Sequence, residues 1–183
     1  SVEEQAFMSR YTFLGFNPKY DVTCTNGILT MKDMDGKVLR EVKEMHPGDF
    51  ITEILKDYKS PKIEEFPTFT GGFVGYFSYD YLKYSEPKLK LDAKDEDGFQ
   101  DVDVMLFDKV IAYDNIKKKI ILIVNASAED LEHSYEQAVK DIEELKDIIR
   151  HGEKAEIPTA NLKSEFKPLF DKEQYCKMVE KAK

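Results

Sequence analysis

The chain has 183 residues, of which 42% are hydrophobic and 34% charged, with a formal net charge of −9 from 36 acidic and 27 basic residues. This length allows one domain with its own core, or a large part of a longer protein. The acidic balance argues against nucleic-acid binding, which needs a concentrated basic surface. No apolar run approaches the roughly 20 residues that cross a bilayer, so no membrane partner is expected.

The first strands are predicted from local signals. Residues 10–16 (RYTFLGF) are aromatic and favour a strand. Residues 21–25 and 28–32 flank Asn26-Gly27, and both turn residues tolerate positive φ, which indicates a tight hairpin.

A third strand and the first helix follow. A turn at residues 35–36 leads into residues 37–42, which predicts a three-stranded meander. A helix is predicted to begin at Pro47 and to end at residues 60–61 (Ser-Pro). Its apolar face consists of Phe50, Ile54, Leu55 and Tyr58.

Residues 68–87 (TFTGGFVGYFSYDYLKYSEP) hold three glycines and seven aromatic rings. A phosphate-binding loop would need a preceding apolar strand, whereas the preceding residues EEFPTFT contain a proline. The GGxxG spacing also differs from the dinucleotide-binding fingerprint. We therefore favour a strand whose glycines let another backbone or ring approach closely, followed by a turn at residues 79–80 into a short helix.

A second hairpin is predicted after a polar loop at residues 88–100. Its strands are residues 103–114 and 118–127, and the turn lies between them. The apolar run IILIV (120–124) predicts a strand that is buried on both faces.

The longest helix is predicted to begin at a capping box of Ser127 and Asp130 and to end near Gly152. Its apolar stripe should pack on a sheet. The stripe consists of Leu131, Tyr135, Ala138, Val139, Ile142, Leu145 and Ile149.

The organisation of the chain follows from these elements. Residues 1–152 form the main region, residues 153–169 a linker, and residues 170–183 begin another helix with a capping box of Asp171 and Gln174. The sequence starts without methionine and stops within a helical pattern, so we expect a piece of a longer protein. Its two separated cysteines favour inert thiols and a cytoplasmic location over a disulfide framework.

The residue pattern indicates no catalytic or metal-binding constellation. His46, His133 and His151 have no ligand spacing, and no GxSxG, HExxH or Walker motif is present. No catalytic residue and no metal ligand is therefore predicted in this chain.

Several segments together are more specific than any one of them. The pattern GG-x-VGY-x-x-YD, with Glu six residues later, is formed by Gly71, Gly72, Val74, Gly75, Tyr76, Tyr79, Asp80 and Glu86. RYTFLGFNP (10–18) precedes it, and DVMLFDKVIAYDN (103–115) and IILIVN (120–125) follow it. In this order they resemble the N-terminal region of anthranilate synthase component I. FDKEQYCKMVEKAK (170–183) is similar to the first helix of that family's chorismate-binding region.

The resemblance implies an α+β fold: mainly antiparallel sheet in a meander and hairpins, with helices packed outside, as part of the family's sandwich. It implies that the full-length protein converts chorismate to anthranilate and pyruvate. Mg²⁺ and ammonia from a glutamine amidotransferase subunit would take part. The family's catalytic residues lie in its C-terminal region, so this fragment is expected to be inactive.

The resemblance also implies part of a tryptophan feedback site. Ser1 would match the serine of an LLES segment, and Arg10 the basic residue that opens the next strand. A hydroxyl and a cation suit a zwitterionic amino acid. The acidic residue that precedes the serine is absent from this sequence, so the chain alone should bind tryptophan weakly or not at all. The motif residues Gly71, Gly72, Gly75, Tyr76, Tyr79 and Asp80 are expected to be structural.

Two alternatives remain open. The motifs are shared with aminodeoxychorismate synthase component I of the folate pathway, although the second hairpin favours the anthranilate enzyme. A stand-alone ligand-binding or interaction module is the other alternative. In either case, sheet surface left exposed in an isolated chain would favour a homodimer.

Overall fold

A computed structural model describes residues 10–43, 45–86, 88–90, 95–154, 156, 159 and 163–183. The chain divides into two compact units, one up to Arg150 and one from His151 onward. The first unit contains two antiparallel sheets with helices, which confirms the predicted α+β fold.

Among the described residues, eight strands build the two sheets. They are β1 (Tyr11–Leu14), β2 (Tyr20–Thr25), β3 (Ile28–Lys32), β4 (Val38–Lys43), β5 (Gly72–Phe77), β6 (Val102–Phe107), β7 (Lys109–Asp114) and β8 (Lys119–Val124). The larger sheet has the order β4-β3-β2-β6-β5 and the smaller one β1-β7-β8. The predicted meander of β2, β3 and β4 is confirmed, and Asn26 and Gly27 adopt φ of 50° and 78° at its first turn.

The helices are α1 (Pro47–Leu55), α2 (Leu82–Ser85), α3 (Leu131–His151) and α4 (Lys172–Ala182), with a 3₁₀ turn at Tyr79–Tyr81. The short helix after residues 79–80 is therefore present as predicted. Helix α1 ends earlier than predicted. Ile51, rather than Leu55, completes its buried face, because residues 50, 51 and 54 share one side of the helix.

The main core lies between α1 and the larger sheet. Apolar side chains from three strands and from α1 form one buried cluster, and several are fully inaccessible. The cluster consists of Val22, Cys24, Leu29, Phe50, Ile51, Ile54, Val102 and Val104. At about 25 cal/mol per Å² of apolar surface, this burial is the main stabilising contribution to the unit.

His46 caps α1. Its Nδ1 accepts a hydrogen bond from the backbone N–H of Gly48 at 3.1 Å, and its ring lies edge-on to Tyr81. We expect His46→Ala to lower the free energy of unfolding by about 1 kcal/mol, as for other N-cap losses. Urea denaturation would measure this. His46→Asn keeps an acceptor and should recover part of the loss, and an alanine variant as stable as the unaltered chain would contradict the capping role.

The predicted strand at residues 103–114 is wrong, because the chain changes sheets within it. β6 lies between β2 and β5, whereas β7 lies between β1 and β8. Asn125 holds the break: its Nδ2 donates to the carbonyl oxygens of Thr70 at 2.8 Å and Asp108 at 3.0 Å. The hairpin of β7 and β8 itself is confirmed.

The prediction that residues 120–124 are buried on both faces is also wrong. β8 is an edge strand, and Ile120 is 51% exposed while Ile123 is 7% exposed. An apolar run indicates a preference for burial, but it does not give the position of a strand in its sheet.

Helix α3 ends at His151, near the predicted Gly152. The start of α3 differs from the prediction. Asp130 directly precedes the helix, and its Oδ1 accepts a hydrogen bond from the backbone N–H of His133 at 3.4 Å. The Ser127 hydroxyl instead accepts the backbone N–H of Glu129. The predicted Ser127 capping box therefore lies too early.

The apolar stripe of α3 is only partly covered in the structure. Leu145 is buried, and Asp141 binds Lys109 of β7 at 2.9 Å. The N-terminal part of the stripe is exposed, at 68% for Leu131 and 67% for Tyr135. In the second unit, Asp171 and Gln174 form the predicted capping box of α4.

Candidate functional site

Arg10 directly precedes β1, and its guanidinium binds the carboxylate that ends β7. The Arg10 Nε and Nη2 atoms donate to the same Asp114 Oδ2 atom at 3.2 and 3.0 Å. Strand pairing brings these residues together, because Tyr11 lies opposite Asp114 in the register of β1 and β7. The guanidinium carbon also lies 4.8 Å from the centroid of the Tyr11 ring.

Asp114 is fixed from its other side by the β7–β8 turn. It is 1% exposed, and its Oδ1 accepts the backbone N–H groups of Ile116 at 3.0 Å and Lys117 at 2.9 Å. The hydrogen bond from Arg10, with those from Lys117 and Ile116, holds the pKa of Asp114 at about 2. This carboxylate therefore stays ionised throughout the physiological range.

This shift predicts a pH dependence of stability. Folding lowers the Asp114 pKa from 3.8 to about 2, so its contribution is fully present above the unfolded value and is lost as the pH falls toward 2. We expect the free energy of unfolding to decrease over that window, and Asp114→Asn to reduce the slope. Urea denaturation between about pH 5 and about pH 2, which brackets the usual aspartate pKa of about 3.9, would measure this decrease. An equal slope in the variant would contradict the assignment.

The arrangement leaves Arg10 able to bind an anion. A guanidinium has five N–H hydrogens, and Asp114 uses two of its nitrogens on one edge. The Arg10 side chain is 30% exposed. Ser1, the other residue assigned to the tryptophan site, lies outside the described residues, so its proximity to Arg10 stays a prediction.

The first two motif glycines lie where the two sheets meet. Gly71 and Gly72 have φ of 147° and 134°, values that residues other than glycine rarely adopt. A Cβ on Gly71 would lie 2.8 Å from the Asn125 Nδ2 and 3.0 Å from the carbonyl oxygen of Phe107.

The remaining motif residues lie on β5 and the turn after it. Gly75 lies opposite Val104, and a Cβ there would be 2.6 Å from the Val104 Cα and closer still to the carbonyl oxygen of Asp103. Tyr76 and Tyr79 are 39% and 82% exposed. Asp80 is half-buried in the 3₁₀ turn.

Sequence reasoning missed a buried polar network beside this motif. Asp101 is 6% exposed and accepts hydrogen bonds from the Lys83 Nζ at 2.6 Å, the Tyr84 hydroxyl at 2.7 Å and the backbone N–H of Asn26 at 2.9 Å. The Tyr84 hydroxyl also accepts the N–H of Gly27 at 2.8 Å. The network ties α2 to the β2–β3 turn.

Electrostatics stabilise the charged form of Asp101. Burial opposes its ionisation, but the hydrogen bonds from Lys83, Tyr84 and Asn26 outweigh burial and lower its pKa. Burial, followed by the hydrogen bond to Asp101, raises the pKa of Tyr84. In the sequence, the signal for this network was Asp101 itself, a carboxylate directly before a strand whose apolar residues alternate with polar ones.

A cleft of about 1040 Å³ lies beside the network. Its lining is largely acidic and aromatic and includes Tyr76, Tyr79, Asp80, Lys83, Asp95, Asp97, Phe99 and Asp101. Among the described residues, no group of three or more histidine, cysteine or carboxylate side chains is placed to hold a metal ion. None of the helices in the described part of the chain is long and apolar enough to cross a membrane.

Comparison with known proteins gives consistent similarities. Residues 4–183 match the model of a family described as chorismate binding enzyme. The chain is 31% identical to anthranilate synthase component 1 of Acinetobacter calcoaceticus over 192 residues, 100% of this chain and 37% of that relative. It is 31% identical to aminodeoxychorismate synthase component 1 of Bacillus subtilis over 132 residues, 70% of this chain and 27% of that relative.

A solved structure shares the fold. The anthranilate synthase component I of Streptococcus pneumoniae TIGR4 superposes with a TM-score of 0.59 at 27% identity, covering 95% of this chain and 37% of that one. The chain thus spans a little over a third of the length of these anthranilate synthase relatives.

Proposed function

This chain belongs to the family of chorismate-binding enzymes, and on that basis we propose that it is the N-terminal, tryptophan-responsive part of an anthranilate synthase component I. The complete protein would convert chorismate and ammonia to anthranilate and pyruvate in the cytoplasm. The observation that carries this proposal is similarity to anthranilate synthase component 1 along the whole chain, whereas similarity to the aminodeoxychorismate enzyme covers 70% of it.

We propose that the catalytic and Mg²⁺-binding residues lie in the part of the complete protein that this chain does not span, since the chain covers 37% of the length of its anthranilate synthase relatives. We expect the 183-residue chain alone not to turn over chorismate. Ammonia would come from a separate glutamine amidotransferase subunit.

The proposed role of this region is feedback by tryptophan. Arg10 would bind the ligand carboxylate and Ser1 would supply a hydroxyl. Support comes from the position of Arg10: its guanidinium is held in place by Asp114, while its side chain is 30% exposed. A fixed, partly exposed guanidinium suits a carboxylate ligand because it can donate two parallel hydrogen bonds.

The sheets of this region would be covered in the complete protein. Five apolar side chains on the described strands are about half exposed, which is unusual for strand residues of a closed core. They are Leu14 at 54%, Val38 at 50%, Val74 at 48%, Phe77 at 51% and Ile120 at 51%. We expect the isolated chain to self-associate, and light scattering that shows only monomer would contradict this.

Growth complementation tests the proposed function and separates the alternatives. The complete gene that encodes this chain should restore growth of a bacterial strain that lacks anthranilate synthase component 1, and the 183-residue piece should not. Rescue of a strain that lacks aminodeoxychorismate synthase component 1, without rescue of the first strain, would assign the folate enzyme instead. Rescue of neither strain by an expressed protein would favour a binding module.

A further inference from the structure

We propose that Asp114 is a positioning residue, which orients the guanidinium of Arg10 toward the carboxylate of an α-amino-acid effector. The inference rests on the proposed function, because that function places the effector at Arg10. Asp114 itself is too deeply buried to meet a ligand, at 1% exposed, so it can act only through Arg10.

The Asp114 carboxylate is held by the main chain. Its Oδ1 accepts the N–H groups of Ile116 at 3.0 Å and Lys117 at 2.9 Å, which leaves its Oδ2 for Arg10. Both Arg10 donors, Nε and Nη2, end on that single oxygen atom at 3.2 and 3.0 Å. Because the turn fixes the carboxylate, the carboxylate fixes the orientation of the guanidinium.

This geometry determines which edge of Arg10 can bind a ligand. Donation through Nε and Nη2 leaves both hydrogens of Nη1 and one of Nη2, and one hydrogen from each of these two nitrogens points in parallel away from the end of the group. The guanidinium carbon lies over the Tyr11 ring, 4.8 Å from its centroid. The end edge can therefore form the paired hydrogen bonds that carboxylates accept from arginine.

Asp114 has a second, opposing effect on an anionic ligand. Its charge neutralises that of Arg10, so on charge alone its removal would strengthen the attraction of a carboxylate. Loss of orientation would instead weaken the paired hydrogen bonds. The two roles predict opposite signs for the same substitution, which makes the proposal testable.

The test uses the complete product of the gene and tryptophan as the ligand. Asp114→Asn keeps the shape and removes the charge, whereas Asp114→Glu keeps the charge and displaces it by one methylene group. If Asp114 positions Arg10, both variants should raise the tryptophan dissociation constant and the half-inhibitory concentration by about tenfold, the loss of one charge-assisted hydrogen bond. Calorimetry and an anthranilate assay measure these quantities.

A matched control separates positioning from general loss of stability. Asp141→Asn also removes a largely buried carboxylate that binds a lysine of β7, at Lys109, but it lies on α3. Thermal unfolding should show destabilisation in this variant, while its tryptophan dissociation constant stays at the unaltered value. If Asp114→Asn does not fold, Asp114→Glu, which retains an ion pair, supplies the same readout.

The outcomes distinguish the inference from the function on which it rests. Tighter binding in Asp114→Asn, or unchanged binding in Asp114→Glu, would show that Asp114 acts by charge or not at all, and would overturn the inference alone. A gene product that forms anthranilate but does not bind tryptophan would overturn the feedback role and this inference with it. Absence of anthranilate formation would overturn the proposed enzymatic function.

Discussion

Substitution of Gly75 by alanine should detach β5 from β6 and lower the free energy of unfolding by about 3 kcal/mol or more. The added Cβ would lie 2.6 Å from the Val104 Cα and closer to the Asp103 carbonyl oxygen. Both neighbours are backbone atoms of β6, which is an interior strand of the larger sheet, so they cannot move aside as a side chain can. Among the described strands, β5 lies at the edge of its sheet and pairs with β6 alone, so the strain is most easily relieved by separating the two.

Urea denaturation and amide hydrogen exchange of β5 measure this effect. Gly36→Ala is the matched control, because Gly36 has φ of 81° but no heavy atom within 4 Å of an added Cβ. It should cost only about 1 kcal/mol of backbone strain. If the two variants were equally stable, close backbone approach at Gly75 would not be the reason for glycine there.

Asp101→Asn should be the second strongly destabilising change, at about 3 kcal/mol. The substitution removes the negative charge that faces Lys83 and replaces one carboxylate oxygen with an NH₂ group, which cannot accept a hydrogen bond. At least one of the three buried donors would then lose its acceptor. The hydrogen bonds from Lys83, Tyr84 and Asn26 all end on this carboxylate. Their loss should also release α2 from the β2–β3 turn.

Asp103→Asn is the control for this prediction, because Asp103 is a carboxylate two residues further along the chain, within β6, and is only partly buried. Burial and then the charge of Asp103 raise the pKa of Asp21, so these carboxylates repel each other. At neutral pH the Asp103→Asn variant should be as stable as the unaltered chain or slightly more stable. Equal destabilisation by both substitutions, measured by urea denaturation, would contradict the role of the Asp101 network.

Local signals explain which parts of the fold could be predicted. Asn26 and Gly27 determine the β2–β3 hairpin because the turn needs positive φ at both positions, and both residues tolerate it. The change of sheets at Asp108 could not be predicted. Buried residues occur at even-numbered positions on both sides of it, from Val102 to Leu106 and from Val110 to Asp114, so the alternation continues in phase.

The candidate site could be predicted from the sequence only in part, for a related reason. Arg10 could be identified through the resemblance of its strand to a family segment, but nothing in the sequence pointed to Asp114 as its partner. The two residues are 104 positions apart, and only the antiparallel register of β1 and β7 brings them together. The Asp101 network is similarly non-local, since Asp101, which directly precedes β6, joins Asn26 to a residue of α2.

Product analysis tests the proposed function most directly. The purified complete product of the gene that encodes this chain would be incubated with chorismate, Mg²⁺ and ammonium, and the products separated by chromatography and identified by mass. We predict equal amounts of anthranilate and pyruvate, with formation suppressed by tryptophan. Accumulation of aminodeoxychorismate without pyruvate, or recovery of unchanged chorismate from folded protein, would contradict the assignment to anthranilate synthesis.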